Sequence, residues 1–188
     1  MELLESELHC RWSDNFSELG SEPIAAASLG QVYMGRLQRS GEKVAVKIQR
    51  PGVLETVSLD LAIIRKICQA LKALNLSNTD FVALLDEWAM RFWDELDYKT
   101  EANYGNEFGD ALQRNLPQVV IPRAYAEFTS RKVLTLQWID GEKLSESKAE
   151  NVGSLVGTGV IAYLTQLLEL NSFHAGVLNP HHISAVGH

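Results

Sequence analysis

The segment Val44-Ala45-Val46-Lys47-Ile48 sets one lysine inside an apolar, β-branched run. In an extended chain successive side chains point to opposite faces, so Val44, Val46 and Ile48 share one face and Ala45 and Lys47 the other. The first is a core face. The second joins a small side chain to a cation, leaving room for a planar aromatic ligand over Ala45 while Lys47 reaches phosphate oxygens. The competing reading is a surface strand with a solvated lysine. Upstream, Ala25-Ala26-Ala27-Ser28-Leu29-Gly30 is a run of small residues. Such a backbone can approach phosphates closely and donate its peptide N–H groups to them. Alanine restricts positive φ where glycine does not, so this loop is stiffer than a glycine-rich one and holds phosphate differently. Taken alone, an alanine-rich stretch also reads as simple helix or packing.

The carboxylates worth weighing lie downstream. Apolar residues at Leu84, Leu85, Trp88, Phe92, Leu96, Tyr104, Phe108 and Leu112 predict one long helix from Phe81 to Leu112. Glu101 borders that stripe beside Tyr104 and Phe108. A carboxylate there needs a cationic partner or strong hydrogen bonds. Lys47 is one candidate, because a strand lysine paired with a helix glutamate positions nucleotide phosphates in kinases. The alternatives are a solvated Glu101, or pairing with Lys99 or Arg114. Asp97 lies one helical turn before Glu101. Together with Glu95 it either holds a cation or a water, or merely solvates the helix.

These residues need elements to hold them. Residues 2 to 19 read as a short amphipathic preface, and Pro23 to Arg36 as two extended segments around a tight loop. Lys43 to Gln49 is a strand, broken by Pro51-Gly52. Thr56 to Leu74 has helical spacing at Leu59, Ile63, Ile67, Ala70, Leu71 and Leu74. Asp80 is the expected N-cap of the next helix. Pro117 to Phe128 and Arg131 to Trp138 read as two strands joined by a Thr-Ser turn, closed by Asp140-Gly141. Glu150 to Leu170 is helical again, and Asn171 to His188 has no readable period. The order defines an α+β fold with a small sheet.

Composition bounds the rest. The chain has 188 residues, 46% apolar and 22% charged, enough for a real core in one domain or a lobe and a half. A net charge of -7, with no basic stripe, argues against nucleic acid as a partner. Cys10 and Cys68 have no metal or redox spacing and read as reduced, incidental thiols. No apolar run reaches the roughly 18 residues that span a bilayer. Met1 to Cys10 is neither a signal peptide nor a transit segment, so any organelle address is expected outside these residues.

Taken together the segments resemble the UbiB family of atypical protein-kinase-like proteins. The carrying residues run from Pro23 through the alanine-rich loop to Val32, then from Val44 to Val53. Glu95-Leu96-Asp97-Tyr98 with Glu101 and Trp138-Ile139-Asp140-Gly141 follow in the family's order. The resemblance implies a kinase-like N-lobe with a small antiparallel sheet and helices, followed by the start of a helical C-lobe. It implies that Ala25, Ala26, Ala27, Ser28 and Gly30 form the loop over the nucleotide, with Ala45 under the base. Lys47 would be the phosphate-binding lysine and Glu101 its partner. Gln137 to Ile139, with Trp138 and Ile139, would form the hinge beside the adenine. Glu95 and Asp97 match the Glu-x-Asp motif, thought to lie near nucleotide and metal. The implied ligands are ATP or ADP with Mg²⁺, and the implied role is in prenylquinone and lipid metabolism, at a lipid or prenylquinone substrate or a membrane surface. Thr56 to Leu61 and Gly141 to Ser145 look most like plant plastid members. This implies a chloroplast and its plastoglobules, with the mitochondrion as the alternative.

Two departures shape the expectations. The family's Lys-x-Gly-Gln element is not found upstream of the loop. Phe173-His174-Ala175 matches the start of the catalytic loop, yet Gly176-Val177-Leu178-Asn179 stands where Asp-Pro-His-Pro-Gly-Asn is expected. We read residues 176–188 as an altered frame, a retained intron, a premature end or a gene-model error. His174, His181, His182 and His188 are incidental rather than metal ligands. The expected organisation is a helical preface over 1–20, a kinase-like N-lobe over 21–140, hinge and C-lobe start over 141–175, and an atypical tail over 176–188. Phosphoryl transfer by this chain is expected to be negligible, and an exposed C-lobe face is expected to favour association. The alternative is a truncated, non-catalytic module that binds nucleotide or a partner.

Overall fold

Strands form at Phe16–Leu19 (β1), Ala25–Ala26 (β2), Gly30–Leu37 (β3), Lys43–Gln49 (β4) and Val133–Gln137 (β5). Two further short strands, Glu142–Lys143 (β6) and Ser184–Ala185 (β7), pair antiparallel with each other. The helices are Glu2–Leu8 (α1), Trp12–Asn15 (α2), Val53–Ala73 (α3), Phe81–Glu95 (α4), Tyr98–Asn115 (α5) and Val152–Leu168 (α6), with a 3-10 turn at Ala126–Phe128. The computed structural model describes residues 2–27, 29–74, 79–143, 151–168 and 184–185. This is the α+β arrangement, a small sheet with helices, that the sequence predicts. The chain divides into two units, one of residues 1–102 with 125–135, the other of 103–124 with 136–188.

In the first unit the sheet runs β1-β3-β4-β5, with β2 also paired to β3. The strands β3 and β4 are antiparallel, with Val32 opposite Lys47 and Met34 opposite Ala45. Alternation works as the sequence implies: Val44, Val46 and Ile48 are buried and pack with Leu4, Phe16, Leu37, Phe128 and Val133. The rings of Phe16 and Phe128 meet at 5.9 Å in a tilted pair. Residues 1–20 therefore do more than the helical preface expected of them. Phe16–Leu19 is a sheet strand, and Leu4 of α1 is completely buried in the same core. The Glu7 carboxylate ties α1 down by accepting from the Ser130 hydroxyl at 3.1 Å and lying 3.3 Å from the Lys132 ammonium.

The helix α3 begins after Gly52, which takes a left-handed φ of 76° that suits glycine and ends β4's path as Pro51-Gly52 signals. Its apolar spacing is real, but the stripe is not buried: Leu59, Ile63, Ile67 and Leu74 are all exposed. Two ion pairs link α3 to α4 and its cap. Arg65 donates to both oxygens of Asp86 at 2.8 Å, and Lys72 reaches Asp80 at 2.7 Å. Asp80 also caps α4 as expected, accepting from the Ala83 N–H at 3.2 Å.

Two predicted elements need correction. The single helix from Phe81 to Leu112 is two helices, α4 and α5, broken at Leu96-Asp97. Around the break the backbone tightens to bonds from Leu96 to Trp93 and from Asp97 to Asp94. Partners outside the helix complete it: the Leu96 carbonyl accepts from the Gln49 amide at 3.2 Å, and the Tyr98 N–H donates to the Arg131 carbonyl at 3.1 Å. The break resets the helical phase. Leu84, Trp88 and Tyr104 of the expected stripe are exposed, while Leu96, Phe108 and Leu112 are buried. The strand expected over Pro117 to Phe128 shrinks to one bridge, Ala124 with Leu136, and the 3-10 turn. Pro117 and Pro122 offer no N–H to a ladder. Asn106 takes up the Ala124 backbone from the side, accepting its N–H at 2.8 Å and donating to its carbonyl at 3.1 Å. The Thr-Ser turn is as expected, with the Ser130 hydroxyl accepting the N–H groups of Lys132 and Val133.

The second unit has its own small core of Phe108, Leu112 and Ala162, with Leu116, Val119 and Ile121 against it. Its α6 matches the helix expected from Glu150 to Leu170, and much of its apolar surface is exposed, including Val160, Ile161, Leu164 and Leu168. Among the described residues no helix is long and apolar enough to cross a membrane.

Candidate functional site

The strand β4 delivers Lys47 to the face opposite the core, because its neighbours Val46 and Ile48 are consumed by packing. The helix α5 starts at Tyr98 and therefore carries Glu101 in its first turn. There the unpaired N–H groups of the helix end favour a negative side chain. The two meet: the Lys47 ammonium lies 2.9 Å from each carboxylate oxygen of Glu101. Their side chains are 23% and 30% exposed, so the pair is partly desolvated yet open to a ligand. Of the readings left open for Glu101, pairing with Lys47 is the one found, and Lys47 is not a solvated surface lysine.

The open face of the sheet extends beyond Lys47. Register places Val32 beside Lys47 and Met34 beside Ala45, so these four side chains share one face. Val32 and Met34 escape a reading of the sequence, because facing residues are set by the pairing register of the hairpin and not by either strand alone. Ala25 and Ala26 pair with Val32 and Gln31, and Ala27 donates its N–H to the Gly30 carbonyl at 2.9 Å. The alanine-rich segment is thus a hairpin tip hanging from β3, and Ala25 and Ala26 are exposed. Ser28 lies outside the described residues.

On this same face, beside Gly30 and Lys47, sits Tyr98, which sequence reasoning missed. It is 1% exposed, and its ring centroid is 4.4 Å from the Lys47 ammonium. Burial first, and the nearby Glu101 carboxylate second, push its phenol above the ordinary tyrosine range. Its hydroxyl is buried with no hydrogen-bond partner among the described residues. That hydroxyl reaches Gly30. A Cβ built there would lie 2.9 Å from it and 2.7 Å from the Ile48 carbonyl, so Gly30 is required by close approach. No sequence signal marked it, since sharing a helix face with Glu101 one turn on says nothing of the contacts its ring makes.

The other expected site residues stand apart or take other roles. Asp97 caps α5: one oxygen accepts the Lys99 N–H at 3.0 Å, and the other lies 4.0 Å from the Arg131 guanidinium. The side chain of Glu95 lies outside the described residues. Among the described residues, no group of three or more histidine, cysteine, aspartate or glutamate side chains is arranged to hold a metal ion. Trp138 and Ile139 follow β5 in the second unit, where the Trp138 indole N–H donates to Asp140 at 2.8 Å. The Phe173-His174-Ala175 match and the histidines His174, His181, His182 and His188 lie outside the described residues.

Residues 1–182 match the ABC1 atypical kinase-like domain. An uncharacterized aarF domain-containing protein kinase, chloroplastic, of Arabidopsis thaliana is 43% identical over 179 residues, covering 95% of this chain and 25% of that protein. Protein ACTIVITY OF BC1 COMPLEX KINASE 3, chloroplastic, of the same plant is 42% identical over 184 residues, 95% of this chain and 25% of the relative. An uncharacterized protein of Synechocystis sp. is 41% identical over 184 residues, 95% of this chain and 26% of its own length. The chain thus spans about a quarter of the length of these curated relatives.

Proposed function

The chain belongs to the ABC1 atypical kinase-like family, the kinase-like group of the UbiB resemblance, and we propose that it carries the nucleotide-binding lobe, gripping the phosphates of ATP or ADP with Lys47. The observation that carries this reading is the Lys47–Glu101 pair at 2.9 Å on the open face of the sheet. In kinases such a pair aims the lysine at nucleotide phosphates. The small side chain of Ala45, with Val32 and Met34, offers an apolar floor for a base. The hairpin tip from Ala25 to Gly30 would lie over the phosphates with its stiff backbone. Trp138 and Ile139 are assigned to the adenine side on motif resemblance alone.

The fit to a divalent cation is poorer. Asp97 is already engaged as a helix cap, and the described residues form no cation site by themselves. We therefore assign no step to Mg²⁺ here, and treat it as a companion of the nucleotide. Phosphoryl transfer, a prenylquinone or lipid substrate and work at a membrane surface are proposed for the whole protein on the strength of the motifs. A plastid location is proposed because the Arabidopsis relatives are named chloroplastic, and plastoglobules within it on the motif resemblance alone.

The test is thermal unfolding of the purified chain with and without ATP or ADP and Mg²⁺, beside Lys47→Ala. Ligand at a hundredfold excess over its Kd adds about 2.7 kcal/mol of stability, a rise easily seen in Tm. The expected outcome is a rise that Lys47→Ala abolishes. A folded parent whose Tm ignores both nucleotides overturns the proposal.

A further inference from the structure

We infer that Tyr98 is a positioning residue for the Lys47 ammonium, a ring that joins the lysine–glutamate pair to the base of the alanine-rich hairpin. The inference rests on the nucleotide reading above and deepens it. Three contacts of one side chain carry it. The ring faces the Lys47 nitrogen at 4.4 Å, in the range where an aromatic quadrupole attracts a cation. The hydroxyl end reaches Gly30, the first residue of β3, where even a Cβ would collide. The backbone of Tyr98 is fixed, its N–H donating to the Arg131 carbonyl at 3.1 Å.

The chemistry follows from what each partner does alone. A lysine side chain has four rotatable bonds, and one carboxylate fixes its head from one side only. Glu101 holds the ammonium from one side, and the Tyr98 ring beside it at 4.4 Å closes a second, so fewer directions are left open to its N–H groups. The ring is neutral and donates nothing to phosphate. It therefore acts through Lys47, and its hydroxyl, buried with no hydrogen-bond partner among the described residues, is not what the position needs. An aromatic ring is needed there, and Gly30 makes room for its far end.

The experiment uses the 188-residue chain with ATP, ADP and adenosine as probes, beside Tyr98→Phe and Tyr98→Leu. Tyr98→Phe keeps the ring and is expected to bind all three within about twofold of the parent. Tyr98→Leu keeps apolar volume without a π face and is expected to weaken ATP and ADP roughly tenfold while leaving adenosine unchanged. Equal affinity of Tyr98→Leu and parent for ATP overturns the inference, as does an equal loss of adenosine, which would mark a damaged fold. A second reading needs no ligand and no leucine variant. In the parent and in Tyr98→Phe, the Lys47 ε-methylene protons, assigned by their loss in Lys47→Arg, are expected upfield of the solvated lysines through the ring current. Their resonance at the solvated position overturns the inference even if nucleotide binds. An upfield Lys47 in a folded chain that binds no nucleotide supports the ring's placement, and the nucleotide reading alone then falls.

Discussion

At the scale of single residues, the strength of the Lys47–Glu101 pair is decided by its partial burial. Exposed ion pairs contribute about 0–1 kcal/mol, while removing one member of a buried pair costs about 3–5 kcal/mol. With side chains 23% and 30% exposed, this pair lies between those limits. Glu101→Ala is expected to lower unfolding stability by about 2 kcal/mol in denaturant titration, since Lys47 keeps the ring of Tyr98 beside it. A variant that unfolds with the parent would mean the pair is effectively solvated. Lys47 and Glu101 were legible in the sequence because each breaks a pattern, one a cation in an apolar strand, the other an acid beside a stripe. Tyr98 was not, because an aromatic residue in a helix breaks no pattern. Its role depends on which atoms lie within 4 to 5 Å, about the range of such contacts, and no spacing rule reports that.

At the scale of elements, whatever follows from local period was legible: β4, α3, α6, the Asp80 cap and the Thr-Ser turn. Two of the misses involve partners distant in sequence. The break between α4 and α5 is held by Gln49 and Arg131, distant in sequence, and the lost strand before β5 is held by Asn106 from α5. At the helix break tertiary partners overrode local preference, while at the lost strand Pro117 and Pro122 already withheld N–H groups from a ladder. The α3–α4 contact carries its own prediction. Hydrogen bonds from Lys72 and from Arg65, with their charges, hold the carboxyls of Asp80 and Asp86 below the ordinary aspartate value of 3.8. A carboxyl whose pKa falls on folding adds stability that is complete above its unfolded value and is lost as pH falls through the folded one. Acidification from neutral pH to about pH 2 is therefore expected to loosen α3 from α4. Amide exchange in the two helices would follow it. In Asp86→Asn the acid-dependent part should be smaller, and an unchanged acid profile would remove Asp86 from the account.

At the scale of the whole molecule, the exposed apolar residues of α3 and α6 set its colloidal behaviour. Leu59, Ile63 and Ile67 on one helix and Val160, Ile161 and Leu164 on another are each 45% exposed or more. Surfaces of this kind favour association. Sedimentation velocity over a concentration series is expected to show a rising mean mass, reduced by Ile63→Glu with Ile67→Glu. A single monomeric species at all concentrations would show that these faces tolerate water. The α3 stripe was visible as helical spacing, which said only that its residues share a side, whereas the exposed face of α6 was expected from the sequence.

The break at Leu96-Asp97 bears on how far the start of α5 can move. Where a lysine–glutamate pair is switched by displacing the glutamate's helix, that helix must be free to swing. Here the start of α5 is pinned on both sides, the Leu96 carbonyl by Gln49 and the Tyr98 N–H by Arg131, with the Tyr98 ring buried. Swinging it out would strip two hydrogen bonds and bare a buried aromatic. Slow amide exchange at Tyr98, unaltered by nucleotide, is the expected signature, and fast exchange there would contradict it. The start of the helix is therefore expected to hold its place when nucleotide binds.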